Sequence, residues 1–229
     1  MKHISTLLLL SIFYFLSLTA QDCKAYLPYE EGTVSEMVNY NKKDKPTGKI
    51  VQEITRIEHK QDMSIFGVKQ IATDEKGKNS VESNFEFSCK EGIFYIDMNT
   101  MISEEQMSAY EDMEMEVSMT NMEIPSKLEA GQKLNDATMT VKLISDAPVN
   151  MNFTVNVVNR TVEGFEKVTT PAGTFDCVKL TQDVETKTVF SMVIRTITWY
   201  AEGVGTVRSE SYNKGKLMGY TVLEKLKKL

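Results

Sequence analysis

Histidine is nearly missing from this 229-residue sequence, and its scarcity limits the chemistry that the protein can perform. Only His3 and His59 occur, and His3 lies in an N-terminal segment that we expect to be removed. A Ser-His-Asp or Cys-His catalytic site would therefore have to use His59, which lies in a polar stretch typical of a strand end and turn. Zinc sites built from several histidines are excluded. We predict no enzyme, no metal and no cofactor.

Long apolar runs are also missing beyond the first twenty residues. Lys2 is followed by an apolar run at 7–18, and Ala20 offers a small residue for cleavage. Twelve residues of helix span about 18 Å of a ~30 Å hydrocarbon core, so this order of zones indicates a signal peptide at 1–20 rather than a membrane anchor. We expect export of residues 21–229 without a membrane span. Because Asp22, not a small residue, precedes Cys23, lipidation is not predicted.

Positive charge is in short supply. Once Lys2 is removed, 25 basic residues face 32 acidic ones, a formal net charge of −7. An acidic chain without a basic stripe lacks the counterion release that drives binding to nucleic acid. Nucleic acid is therefore excluded as a partner.

Cysteine is rare, with only Cys23, Cys89 and Cys177 present. The spacings of 66 and 88 residues match no zinc or haem pattern. An oxidising compartment permits one structural disulfide, with three possible pairings and one thiol left over.

Period-two alternation of apolar and polar residues dominates what is present, as at 84–89, 138–143 and 151–157. Successive strand side chains point to opposite faces, so this alternation predicts an antiparallel sheet with one buried face. We predict a mostly β, single-domain meander that forms a curved sheet or incomplete β-barrel. Segment 124–131 is a weaker candidate for a domain boundary than for a long connection within that domain. Roughly ten strands are expected within these windows, one or two of them spurious: 33–41, 49–59, 63–73, 79–89, 93–99, 113–121, 137–145, 150–163, 174–187, 189–201, 204–212 and 216–225.

One short helix is predicted at 103–111. Ser103 and Gln106 form a capping box, and Glu104 and Glu105 suit the positive end of a helix. The acidic residues between Glu104 and Glu123 could in principle serve acid-base sugar chemistry or hold calcium. Their alternation with apolar residues indicates a solvated face instead.

Methionine is unusually dense, with seven between residues 98 and 122. Thioethers can hold Cu(I), but their alternation with glutamate favours packing against a core or lining an apolar pocket. The residues that we predict to line an apolar groove are Met113, Met115, Met119, Phe85, Phe87, Phe153 and Trp199.

A family resemblance emerges from several turn motifs. Residues 168–177 (VTTPAGTFDC) and 199–208 (WYAEGVGTVR) resemble the TapB family and the related DUF3108-like exported proteins. Residues 21–23, 88–98 and 211–220 fit the same pattern, so the resemblance spans nearly the whole exported chain. It implies a curved antiparallel sheet in a Gram-negative cell envelope, periplasmic or secreted, and it brings no catalytic residues.

Three functions are compatible with this sequence. The first is non-enzymatic binding of an apolar small molecule, a lipid or a peptide in a groove of the sheet. The second is a structural or assembly role through contacts with another envelope protein. The third, a carboxylate-based hydrolase, would need two acids that face a common cleft.

Overall fold

The structure is a computed structural model that describes residues 23, 26–98, 114–144, 151–188 and 190–228. The predicted signal peptide at 1–20, the predicted helix at 103–111 and Met113 lie outside the described residues. No helix in the described ranges is long and apolar enough to cross a membrane.

The described chain forms one antiparallel sheet of thirteen strands in the order β6-β8-β9-β10-β11-β12-β13-β1-β2-β3-β4-β5-β7. Most neighbours in this order are consecutive in sequence, as in a meander, and the terminal strands β6 and β7 are not paired with each other. The strands are β1 Val34–Asn41, β2 Pro46–His59, β3 Ser64–Asp74, β4 Ser80–Lys90, β5 Ile93–Ile96, β6 Glu114–Met119, β7 Met122–Pro125, β8 Ala137–Ile144, β9 Met151–Thr170, β10 Gly173–Lys187, β11 Ser191–Ala201, β12 Gly205–Asn213 and β13 Lys216–Lys227.

The predicted mostly β fold is confirmed, and each of the twelve sequence windows contains a strand. Expecting one or two of them to be spurious was wrong. The sequence also missed β7, a four-residue strand that ends at Pro125 and pairs only with β5. A strand this short shows hardly any alternation, and proline favours an edge or the end of a strand.

β9 continues to Thr170, well beyond the predicted end at 163. The prediction ended too early because two irregularities interrupt the alternation of the strand. The register against β10 shifts near Asn159 and again near Gly164, and both residues have positive φ, 56° and 155°. A bulge inserts one residue and thereby changes which side chains face inward. Val155 and Val157 are buried before the Asn159 bulge, whereas Arg160 and Val162 are buried after it.

A polar contact to the neighbouring strand stabilises the Asn159 bulge. The Asn159 amide donates to Asp183 Oδ2 at 3.0 Å, and Arg195 Nε donates to Asp183 Oδ1 at 2.9 Å. These hydrogen bonds, first of all those from Arg195, hold the pKa of Asp183 below its usual range. The carboxylate is therefore ionised at neutral pH and keeps both donors in place.

Arg160 is 1% exposed and links the two ends of the sheet from inside. Its guanidinium donates to the Asn135 carbonyl at 2.7 Å, to the Glu123 carbonyl on β7 at 2.9 Å and to Gln182 Oε1 at 3.2 Å. Burial lowers the pKa of Arg160, yet an arginine remains charged in a protein. A buried cation needs these acceptors, so it holds β7 and the segment before β8 against β9 and β10.

The segment between β7 and β8 completes this connection. Gly131 N donates to Val162 O, and Val162 N donates back to Gln132 O. Leu134 N donates to Arg160 O. The sheet therefore curls until its β7 end reaches β9 through a connecting segment rather than through direct strand pairing.

Buried apolar side chains form three clusters. The first includes Phe66, Phe87 and Phe94, and the ring centroids of Phe66 and Phe87 are 4.7 Å apart. The second surrounds Trp199 and Leu223, and the third contains the buried methionines Met98 and Met139.

We predict that Arg160→Met lowers the free energy of unfolding by about 3 kcal/mol, because two backbone carbonyls and Gln182 lose a charged donor. Urea denaturation would measure the loss. Lys167→Met is the matched control, since Lys167 lies on the same strand with its side chain 71% exposed, and its change should stay within about 0.5 kcal/mol. Equal stability of the two variants would contradict the role of Arg160.

Candidate functional site

A cavity of about 1280 Å³ occupies the concave side of the sheet between the clusters. Its floor is formed mainly by β1, β2, β3 and β4, while residues of β6, β12 and β13 contribute to its sides. The residues that line it are Leu27, Pro28, Thr33, Ser35, Met37, Ile50, Gln52, Ile54, Val68, Gln70, Ala72, Val81, Ser83, Asn84, Phe85, Glu86, Phe87, Ile96, Asp97, Val117, Met119, Tyr200, Val204, Gly205, Thr206, Ser209 and Thr221.

Strand register arranges the floor in transverse rows, because inward side chains recur every second residue and align with their partners on neighbouring strands. One apolar row runs across the four strands, and a second crosses β2 to β4 on the other side of a polar row. The first apolar row is Met37, Ile50, Ala72 and Val81, and the second is Ile54, Val68 and Phe85.

The polar row between them consists of Ser35, Gln52, Gln70 and Ser83, each paired with the next in the ladder. Gln52 Nε2 donates to Gln70 Oε1 at 2.7 Å. With the amides oriented in this way, the pair keeps one carbonyl oxygen and one NH₂ group for further hydrogen bonds. The buried Thr33 hydroxyl, beside the second apolar row, has no hydrogen-bond partner among the described residues.

Cationic side chains are missing from the cavity: the described residues that line it include no Lys, Arg or His. Two acids, Glu86 and Asp97, occur there. The Glu86 carboxylate is exposed and paired with Arg56, as expected for an outward position on β4 between inward Phe85 and Phe87. The cavity therefore offers an anion no partner of opposite charge.

An N-terminal strap, residues 26–33, crosses one side of the cavity before β1 begins. Leu27 and Pro28 line the cavity. Tyr29 packs on Gly203, where an added Cβ would lie 2.9 Å from the Tyr29 ring, and Gly203 has a φ of +66°. A disulfide between Cys23 and Cys89 ties the chain just before the strap to β4.

This pairing answers a question that the sequence left open. Cys89 is fully buried in the first cluster, and Cys177 lies apart from it in the second. Burial raises the pKa of the Cys177 thiol to about 11, so Cys177 is protonated at neutral pH and is a poor nucleophile.

The predicted groove residues divide between the cavity and the core. Phe85, Phe87 and Met119 line the cavity. Phe153 packs in the third cluster and Trp199 in the second, where the indole N–H donates to Glu166, and neither lines the cavity. The Met115 side chain lies outside what the structure describes.

Sequence reasoning missed the polar row and the strap. The sequence analysis did not single out the glutamines and serines of the row. Gln52 lies two residues from Ile50 and Ile54, and Gln70 two from Val68, a spacing that puts each glutamine on the same face of its strand as those apolar residues.

His59 lies at the exposed end of β2, and its Nδ1 is 3.0 Å from Ser64 Oγ. This is a cross-strand pair at a hairpin end, and the nearby Asp62 carboxylate is paired with Lys90 at 2.7 Å rather than with the imidazole. Within the described ranges, no three His, Cys, Asp or Glu side chains are grouped to hold a metal ion.

The fold and cavity define a class: open, strongly curved antiparallel sheets that enclose an apolar cavity. The DUF3108-like family profile matches residues 30–223, and the chain belongs to that family. None of the curated proteins matches the chain significantly.

Two crystal structures resemble the whole described sheet. One is a Bacteroides fragilis protein described as exported and of YmcC-like fold, with a TM-score of 0.71 and 23% identity over 90% of this chain and 100% of that chain. The other is a Parabacteroides distasonis protein described as a lipoprotein, with a TM-score of 0.72 and 24% identity over the same shares. At this level of identity, the likeness establishes a shared fold.

We predict that Cys23→Ser lowers the free energy of unfolding by about 4 kcal/mol, because the disulfide closes a 66-residue separation in the unfolded chain. Denaturation of the oxidised protein, with and without reductant, would measure the loss. Reductant should destabilise the wild type and leave Cys23→Ser unchanged. A reductant effect of equal size on both proteins would contradict the assigned pairing.

Proposed function

We propose that this protein is an exported, non-enzymatic cell-envelope protein that binds an apolar or lipid-like ligand in the cavity of its curved sheet. The cavity of about 1280 Å³ is the observation that carries the proposal. The signal-like N-terminus supports export, and the bacterial relatives described as an exported protein and a lipoprotein fit an envelope setting. Kinship with the TapB proteins in particular rests on the turn motifs alone.

The size and lining of the cavity favour an organic ligand over water. Pockets for small molecules usually measure about 300–1,000 Å³, and this cavity exceeds that range. It could hold about 40 water molecules at the volume of liquid water, but two of the three floor rows offer them no hydrogen bonds. Covering this apolar surface with hydrocarbon contributes roughly 25 cal/mol for each Å² removed from water.

Methionine side chains in the cavity lining suit a flexible ligand. Met37 and Met119 reach the cavity from β1 and β6. Their side chains adjust to varied shapes at small energetic cost, so they can follow a hydrocarbon chain.

We predict that Ala72→Trp weakens binding of the neutral dye N-phenyl-1-naphthylamine at least tenfold, because the indole would occupy the cavity floor between Ile50 and Val81. Fluorescence titration of the mature protein would measure the dissociation constant. Mass spectrometry of organic extracts should show a ligand bound to the native wild type and not to the variant.

Ile71→Trp is the matched control, since Ile71 is adjacent on β3 and faces the opposite side of the sheet. It should bind the dye like the wild type. No saturable binding by the wild type, or unchanged binding by Ala72→Trp, would refute the proposal.

A second candidate function, assembly with another envelope protein, is favoured by the tip of the β10–β11 hairpin. Phe190 is 81% exposed there, next to the half-exposed Met192 and Val193. Neighbouring apolar side chains held in water at a hairpin tip are typical of a contact surface.

For this candidate, we expect Phe190→Ser combined with Met192→Ser to remove a specific crosslinked species from native envelopes. Phe165→Ser, at another exposed apolar position that lies on β9 opposite Val178 and outside the cavity, should retain that species. Recovery of the wild type only as a monomer after crosslinking would eliminate the assembly role.

A further inference from the structure

We infer that the ligand is an amphiphile without an anionic group, that its amide or ester group lies within a hydrocarbon chain, and that Gln52 and Gln70 bind this group. The inference rests on the proposed function of the cavity and adds the chemical class of its occupant. It follows from the order of the floor rows, the composition of the lining and the hydrogen bonds of the glutamine pair.

The order of the rows places one polar band between two apolar bands. Along β2, Gln52 is two residues from Ile50 and two from Ile54; along β3, Gln70 stands likewise between Val68 and Ala72. Two strand residues span about 6.6 Å, so each apolar band lies about that far from the polar band. A ligand that follows the strands would thus meet hydrocarbon, then polar groups, then hydrocarbon.

The glutamine pair is suited to an amide or ester. After the 2.7 Å hydrogen bond between them, Gln52 presents a carbonyl oxygen and Gln70 presents an NH₂ group. The NH₂ group can donate to a ligand carbonyl, and the Gln52 oxygen can accept from a ligand N–H. An ester would use only the first of these hydrogen bonds, so an amide should bind more tightly.

The charges exclude a buried anionic head group. Burying a carboxylate or phosphate away from water is costly unless a cation pairs with it, and no Lys, Arg or His is among the described residues that line the cavity. Arg56 faces the outer side with Glu86, and Arg160 already donates to three protein acceptors. A neutral polar group carries no such cost.

The test compares two twelve-carbon competitors of N-phenyl-1-naphthylamine at pH 8: N-hexylhexanamide, with a neutral amide in mid-chain, and dodecanoate, with a terminal carboxylate. The wild type should bind the amide at least tenfold more tightly. Gln52→Met combined with Gln70→Met keeps both side-chain lengths and removes both amide groups, so it should weaken amide binding by about tenfold and leave dodecanoate binding unchanged. Both residues are changed because Gln70→Met alone would release the Gln52 NH₂ group, which donates to Gln70, to donate to the ligand.

Lys69→Met is the matched control, because Lys69 is adjacent on β3 and pairs with Glu82 on the outer face. It should keep the full preference for the amide. Dodecanoate binding as tightly as the amide, or an amide preference that survives the double substitution, would overturn the inference while cavity binding still stood. If neither competitor nor the dye bound the wild type, the proposed function itself would fail.

Discussion

A buried guanidinium decides how far this sheet curls. Arg160 is almost fully buried, so its N–H groups must find acceptors inside the protein. Two of these are backbone carbonyls: Glu123 O on β7, which does not pair with β9, and Asn135 O in the segment before β8. Because these hydrogen bonds form, β7 and the segment before β8 lie against the middle of β9. The curl that results gives the sheet an inside, and both the core clusters and the cavity depend on it.

The inward position of Arg160 is itself a consequence of the Asn159 bulge. Without the extra residue, strict alternation from Val155 and Val157 would turn Arg160 outward. Asp183 stabilises the bulge by accepting from Asn159, and Arg195 keeps Asp183 ionised. A short chain of polar contacts on neighbouring strands thus determines a feature that shapes the whole sheet.

Tightly packed and covalently tied elements frame the cavity. Stacked rings of Phe66 and Phe87 pack at one end, and the strap is held by the Cys23–Cys89 disulfide and by close packing of Tyr29 on Gly203. Hydrogen bonds along thirteen strands oppose collapse of the floor.

The strands and their turns could be predicted from sequence because side-chain alternation is a local property, visible in any run long enough to repeat. Prediction from alternation failed for β7, which is too short to alternate. It also failed for the second half of β9, where bulges change which side chains point inward. Alternation also placed Phe85, Phe87, Phe153 and Trp199 together as groove residues, because it shows that one face is buried but not which face, or which part of it, lines a cavity. Trp199 is adjacent on β11 to Tyr200, which lines the cavity, and therefore faces the other side of the sheet. Only the register of distant strands decided that Phe85 and Phe87 reach the cavity whereas Phe153 and Trp199 pack in the core.

Likewise, three cysteines allowed three pairings, and the approach of residue 23 to β4 selected one. The sequence by itself determined an exported-type, antiparallel β chain; the curvature, the disulfide and the polar row across the cavity floor were decided by tertiary contacts, because each joins residues that no local pattern brings together.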